Sequence, residues 1–312
     1  MPYTDNSLQN YVFGESDDRE RLAIVHAFMR ANFITQTLQV LDQYGLAQRL
    51  EQARLTATRL QILDLGCAEG LFLHDLAALL EERGLLGAAE LNGLDVNTAA
   101  IATAEAYAKI SSPPRPYLNF YVWNMTQPLT DNLILRAEAK TQFDYIYALS
   151  VLEYLGEARQ QLERIYHMLK PGGIIYLRCL VTKEGSDGWI ALHPVLAPLN
   201  RAVGLSITGL NGGIDVATNT AAWLREVGAE DVREYIDKVQ AGGAGPRGRE
   251  SLRSTVLLAR NAAPHLIRQG LLTQAQYDEI LTTLYRELGS HLTGQYCTTN
   301  VVGRKPLTAY KG

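Results

Sequence analysis

The stretch Ile62-Leu63-Asp64-Leu65-Gly66-Cys67-Ala68-Glu69-Gly70 decides the fold of this chain. An apolar run from Leu60 to Leu65 reads as a buried strand, and it breaks at Gly66. Apolar residues from Leu71 to Leu80 then recur at helical spacing, which predicts a helix over about 70–83. A strand feeding a helix through a glycine turn puts backbone N–H groups at the helix start and lets a ligand lie on the main chain. Asp64, at the carboxyl end of the strand, adds a fixed acceptor beside that turn. In an open α/β sheet this is the usual place for a ligand. Asp64, Gly66, Cys67, Ala68 and Gly70 are therefore the first candidate binding residues, with Gly66 bare so that a ligand can meet the backbone.

Working outward, strand and helix signals alternate. Strands are predicted at 60–65, 91–96, 117–123, 143–149, 174–181, 231–239 and 296–302. Helices are predicted at 98–110, 157–169 and 220–227, with a short one at 133–140. Pro113, Pro114 and Pro116 enforce a loop, and Pro171-Gly172-Gly173 is turn chemistry before the fifth strand. Strand–helix units of this length imply a parallel sheet with helices on both faces. Before it, Ser16 and the acids after it open a helical stretch that runs to about Leu50. After the fifth strand, residues 182–216 are rich in Gly and Pro and read as an inserted loop with one short helix at most. A Gly-rich loop over 241–248 leads to two further helices, about 249–270 and 273–289, the second opened by a capping-box spacing from Thr273 to Gln276.

Composition sets outer bounds. The 312 residues are 47% hydrophobic and 20% charged, the profile of an ordinary globular protein, and a net charge of -4 gives no reason to expect nucleic acid or an anionic membrane as partner. Cys67, Cys179 and Cys297 form no C-x-x-C pair, which argues against a disulfide scaffold or a structural zinc site. The polar amino terminus does not read as a signal peptide, and no apolar run approaches the ~20 residues of a membrane span. A cytoplasmic protein is the expectation.

The motif Asp64-Leu65-Gly66-Cys67-Ala68-Glu69-Gly70 resembles the D-x-G-x-G-x-G turn of class I S-adenosylmethionine (SAM)-dependent methyltransferases, with Ala68 where the middle glycine is common. Four later landmarks carry the resemblance on in the same order. Asp95 closes the second strand, where an acid can accept bonds from both hydroxyls of a ribose, and Val96 adjoins it. Trp123-Asn124-Met125 follows the third strand, with Asn124 where the family often has an acid. Leu149-Ser150-Val151-Leu152-Glu153-Tyr154-Leu155 resembles the segment that lies along the methionine moiety, with Tyr154 replacing a common His. Leu169-Lys170-Pro171-Gly172-Gly173 resembles the L-K-P-G-G turn into the fifth strand. Outside this span, Tyr11-Val12-Phe13-Gly14-Glu15-Ser16 resembles the opening of some small-molecule members.

The resemblance implies an α/β fold, a doubly wound and mostly parallel seven-stranded sheet whose last strand is antiparallel. It adds an N-terminal helical lid over residues 1–58, and a SAM-binding domain over 59–312 with insertions at about 182–216 and 240–294. It implies SAM as cofactor, S-adenosylhomocysteine (SAH) as product, and a small-molecule acceptor methylated on oxygen, nitrogen or carbon. A homodimer is compatible with it; nucleic acid and membrane are not expected partners. Cofactor contacts fall on Tyr11, Arg30, Asp64, Gly66, Cys67, Ala68, Gly70, Asp95, Val96, Asn124, Met125, Leu149, Ser150 and Tyr154. A general base is needed only where the acceptor must lose a proton, and the candidates are His193, Tyr154 and His26, with His74 behind them.

Two other readings stay open. A NAD(P)-dependent oxidoreductase predicts G-x-G-x-x-G, whereas Gly66 and Gly70 have no glycine between them. A non-catalytic SAM- or nucleotide-binding subunit would keep the motifs and lack turnover.

Overall fold

A computed structural model describes residues 20–27, 30, 38–39, 42–110, 115, 117–124, 142–181, 194–242, 246–287 and 293–307. The expected cap at Ser16, the helix at 133–140, and the candidate residues Tyr11, Met125 and His193 lie outside them.

Seven strands form one sheet in the order β3-β2-β1-β4-β5-β7-β6. They are β1 (Leu60–Leu65), β2 (Ala89–Asp95), β3 (Leu118–Val122), β4 (Phe143–Leu149), β5 (Leu169–Leu180), β6 (Glu230–Gly242) and β7 (Thr293–Arg304). The first five pair in parallel, and β7 runs antiparallel to both β5 and β6. Buried on both faces, β1 and β4 read as nearly continuous apolar runs, as parallel strands between helices do.

The helices are α1 (Leu46–Leu55), α2 (Leu71–Glu82), α3 (Thr98–Ile110), α4 (Ala158–His167), α5 (Ala197–Leu210), α6 (Val216–Glu226), α7 (Pro246–Arg268) and α8 (Gln274–Glu287). Residues 20–27 are also helical. On one face, α1 and α2 bury Leu46, Leu50, Phe72, Leu73 and Leu76 against Ile62, Tyr145 and Tyr176. On the other, α4 and α6 bury Leu162, Ile165 and Leu224 against Leu63, Ile146 and Leu177. A third core joins α5, α7 and α8 through Leu199, Ile207, Val256, Leu266 and Leu284.

Two local expectations are corrected. Residues 182–216 were expected to hold a short helix at most, yet α5 runs for 14 residues. Its prolines, Pro194 and Pro198, sit before the helix and in its first turn, where a missing N–H costs nothing. Leu199, Ala202 and Ile207 supply the buried stripe that holds it. Second, Pro171-Gly172-Gly173 is not a turn before the strand but an irregularity inside β5. Leu169 already pairs with Phe143, and regular pairing resumes at Ile174 opposite Tyr145. Gly172 takes φ +74 there, and its N–H donates to the Lys305 carbonyl at 2.9 Å.

Candidate functional site

Strand order reverses between β1 and β4, and the carboxyl ends of these two strands flank the crevice where such sheets bind ligands. Asp64 stands there with 4% of its surface exposed, and Asp95 ends the neighbouring β2 at 2%. Burial, with the charge of Asp95 second, pushes the Asp64 carboxyl up to about 8. Burial also raises Asp95, against bonds from the N–H groups of Asn97, Ala68 and Val96 that favour its charged form.

Asp95 holds two loops at once. Its Oδ2 accepts the Ala68 N–H at 2.8 Å and its Oδ1 accepts the Asn97 N–H at 2.8 Å. It is not the cap of α3: Asn97 Oδ1 takes the N–H groups of Ala99 and Ala100, at 3.0 and 3.1 Å. Among the described residues no hydrogen bond reaches the Asp64 carboxyl.

The glycine turn is held by backbone bonds and close packing. Gly66 and Cys67 both donate their N–H groups to the Leu94 carbonyl, at 2.7 and 3.1 Å, tying the turn to β2. Gly66 takes φ +70, and a Cβ there would lie 2.4 Å from Val151 Cγ2. The bare backbone at Gly66 makes room for Val151 of the loop after β4. Gly70 takes φ +71 ahead of α2, where a Cβ would run into the Phe120 ring at 2.4 Å. Cys67 is buried beneath the turn, near Gly93 and Phe120. Ala68, where the family motif has glycine, takes φ +47, a left-handed conformation that favours glycine.

Beyond the turn, Val96 and Asn124 are half-buried at the ends of β2 and β3, and the Trp123 N–H donates to the Asp95 carbonyl at 2.8 Å. After β4, half-buried Leu149 leads to exposed Ser150 at φ +53, a strained position of the kind that gathers at ligand sites. Tyr154 closes a short helical turn and packs against the α5–α7–α8 core. Glu153, one residue before it, points inward. It is 1% exposed, and its Oε1 accepts the Leu180 N–H at 2.9 Å, fastening this segment to β5. Burial raises its carboxyl to about 7.

His26 and Arg30 do not reach the turn residues; both bind Asp75 of α2. His26 Nε2 lies 2.8 Å from Asp75 Oδ2, and Arg30 Nε donates to the same oxygen at 2.7 Å. Burial works against the Asp75 charge, but these two bonds hold its carboxyl below the usual range. At the other end of the same helical segment, Glu20 pairs with Arg253 of α7. His74 turns between α2 and α3, with Nε2 3.3 Å from the Ala104 carbonyl and its ring near Phe120. Thus Asp64, Gly66, Cys67, Ala68, Gly70, Asp95, Val96, Asn124, Leu149 and Ser150 gather at the carboxyl edge, whereas His26, Arg30 and His74 serve helix contacts. No cluster of metal-ligating side chains occurs among the described residues. Asn97, Val151 and Glu153 shape the site and were not singled out from sequence. Val151 and Glu153 stand in a segment whose motif resemblance drew attention to ligand contacts, not packing.

Residues 63–175 match the family model described as a methyltransferase domain. Two curated relatives are ubiquinone biosynthesis O-methyltransferases. The Caulobacter vibrioides protein is 29% identical over 53% of this chain and 57% of its own length. The mitochondrial protein of Dictyostelium discoideum is 27% identical over 38% of this chain and 34% of its own length. The chain thus matches only about a third to somewhat over half of each relative. Among solved structures, phosphoethanolamine N-methyltransferase 2 of Haemonchus contortus, bound to phosphomonomethylethanolamine and SAH, aligns with a TM-score of 0.52. It is 14% identical and covers 98% of this chain and 61% of its own. The CMeT domain of the citrinin polyketide synthase aligns with a TM-score of 0.50 and 22% identity, over 78% of this chain and 57% of its own. These likenesses establish the fold.

Proposed function

We propose that this chain methylates a small molecule with SAM as donor, since residues 63–175 match the methyltransferase-domain family model and the sheet has the fold of such enzymes. The observation that carries the proposal is the pair of buried acids, Asp64 and Asp95, framing a turn whose N–H groups are already engaged. A dinucleotide site of the rival class needs those N–H groups for a pyrophosphate. Here Gly66 and Cys67 donate to Leu94 and Ala68 donates to Asp95, so these N–H groups are engaged, and two buried carboxyls stand beside them. Such a site suits hydroxyl donors and positive charge.

SAM, when bound, supplies a methyl group already activated by a sulfonium. In this reading Asp95 accepts from the ribose hydroxyls with the acceptor capacity its carboxylate keeps beyond its backbone bonds. Asp64 offers its carboxyl to the positive end of the cofactor. Val96 and Asn124 border the base, and the segment Leu149–Tyr154 borders the methionine end. The helical segment at 20–27, pinned to α2 by His26 and to α7 by Glu20, closes over the crevice and excludes water. Held by Asp75, His26 is a lid residue, which leaves Tyr154 and His193 as the candidates to receive an acceptor proton. Cys67, Cys179 and Cys297 are all free thiols, in keeping with a reducing cytoplasm as the place of action. No described helix is long and apolar enough to cross a membrane.

Incubating the chain with methyl-labelled SAM and a small-metabolite extract tests this reading. Label transferred to a small molecule is the expected result. SAM binding with no transfer to any metabolite would instead favour a non-catalytic subunit.

A further inference from the structure

Strand β6 ends the sheet on one side and pairs with β7 alone. Its 13 residues are about twice the usual strand length, and a long open edge is a template for pairing with another chain. The register shows which of its groups face outward. The Val181 N–H donates to the Cys297 carbonyl and the Lys305 N–H to the Gly173 carbonyl, so odd-numbered residues along β7 turn their main chain toward β5. The alternate residues Thr298, Asn300 and Val302 then bond to β6 through their partners Asp237, Tyr235 and Arg233. Glu234, Ile236 and Lys238 are left with N–H and C=O groups directed away from the sheet. Among the described residues no hydrogen bond reaches those outward groups.

The two ends of this edge differ. At its start a register shift between Glu230 and Arg233 bends the strand, and Asp231 takes φ +52. The Asp231 carbonyl accepts from Tyr44 Oη at 2.7 Å, and the Val232 carbonyl accepts from Arg225 Nη2 at 3.3 Å. A bulge and a covering of side chains are the usual means of blunting an edge. Past Val232 both stop. There Glu234, Ile236 and Lys238 share one face and are all exposed, Ile236 at 48%. Beside them on β7 stand Val301, Thr299 and Cys297, so neither charge has an opposite charge next to it in the sheet. Along the strand the two charges are about 13 Å apart, too far to pair with each other. Asp237 does not compete for Lys238, since Arg178 holds it at 3.2 Å.

We propose that β6 pairs antiparallel with β6 of a second copy of this chain, about a two-fold axis at Ile236, joining two seven-stranded sheets into one. This register sets Glu234 opposite Lys238 of the second copy on both sides of the axis, with the two Ile236 side chains between them. It also brings the outward N–H and C=O groups of both strands face to face. An axis at Glu234 or at Lys238 would instead set like charges opposite each other, and one at Tyr235 would set Glu234 against Ile236. The pairing is independent of the methyl-transfer reading.

The test is sedimentation equilibrium of the full chain from about 1 to about 200 µM, the range in which a modest interface forms. A monomer–dimer equilibrium is expected. Glu234→Lys and Lys238→Glu each create two like-charged pairs across the axis, and each should weaken association by about tenfold or more. Combining them restores opposite charges in the same register, and should return association to within about threefold of the native chain. Ile236→Pro removes an outward N–H at no cost to the ladder, and should abolish the dimer while the melting temperature of the dilute chain holds. The charge series decides the matter should the proline variant lose its fold. A chain that stays monomeric throughout overturns the proposal. So does a dimer that both single reversals leave intact, or a combined variant no stronger than the single ones.

Discussion

The two halves of the sheet on either side of the β1–β4 seam use buried polarity in different ways. In the β3-β2-β1 half, the acids sit at strand ends, and Asp95 is bonded chiefly to main chain. In the β4-β5-β7-β6 half, the polar groups lie along strand faces and bond chiefly to one another, through Tyr235, Tyr176 and Asn300. Backbone bonding of this kind gives one fixed geometry, as the proposed cofactor site needs. Side-chain bonding makes the geometry of the second half depend on single residues, which a substitution can change one at a time.

The largest expected effect breaks the geometry of the first half. Gly66→Val adds overpacking against Val151 to a left-handed backbone, and should destabilise the chain by about 3 kcal/mol or more, read by chemical denaturation. In a Val151→Ala background, Gly66→Ala should recover the steric part and leave about 1–2 kcal/mol of backbone strain. Equal costs in both backgrounds would show that Val151 is not the obstacle.

Asp64 offers a sharper electrostatic contrast. Its folded value, about 8, lies above the ordinary value of 3.8, so the folded chain holds an extra proton between the two. Ligand-free stability should therefore fall as pH rises through that window, and Asp64→Asn should remove the slope. A positively charged ligand prefers the ionised form, so SAM should bind more tightly as pH approaches 8, by up to about tenfold per unit. A flat SAM affinity between pH 6 and pH 8, within roughly the precision that linkage demands, would take Asp64 out of the site.

The contacts of the proposed lid should matter less. Asp75→Asn weakens the hold on His26 and Arg30, and about 1 kcal/mol of local stability is at stake because Arg30 is largely exposed. Limited proteolysis should then cut the amino-terminal segment faster while the sheet core resists; an unchanged cutting rate would mean that Asp75 does not anchor the lid. Smallest of all, Ala68→Gly trades chain entropy for relief of the φ +47 strain, for a net gain of about 0.5 kcal/mol. A clear loss of stability would contradict the strain at Ala68.

What the sequence disclosed follows the same division. Strand β1, the turn to Gly70, Asp95 and the β4 segment were legible because local periodicity and short spacing encode them. The close packing at Gly66 was not, because it comes from Val151, 85 positions later in the chain. Helix α5 was hidden by prolines that read as breakers but sit where a helix tolerates them. The polar row of the second half was hidden because its members are single residues in strands that only the register brings together. Arg178, inside the otherwise apolar run from Ile174 to Leu180, was the one local sign of it.

The central claim, that Asp64, Asp95 and the turn between them form a SAM site, is tested most directly by calorimetric titration of the chain and of Asp95→Ala with SAM and with NAD(H). The account predicts saturable SAM binding by the native chain, more than tenfold weaker binding by a folded Asp95→Ala, and no appreciable NAD(H) binding. NAD(H) binding without SAM binding, or an Asp95→Ala variant with native SAM affinity, would contradict it.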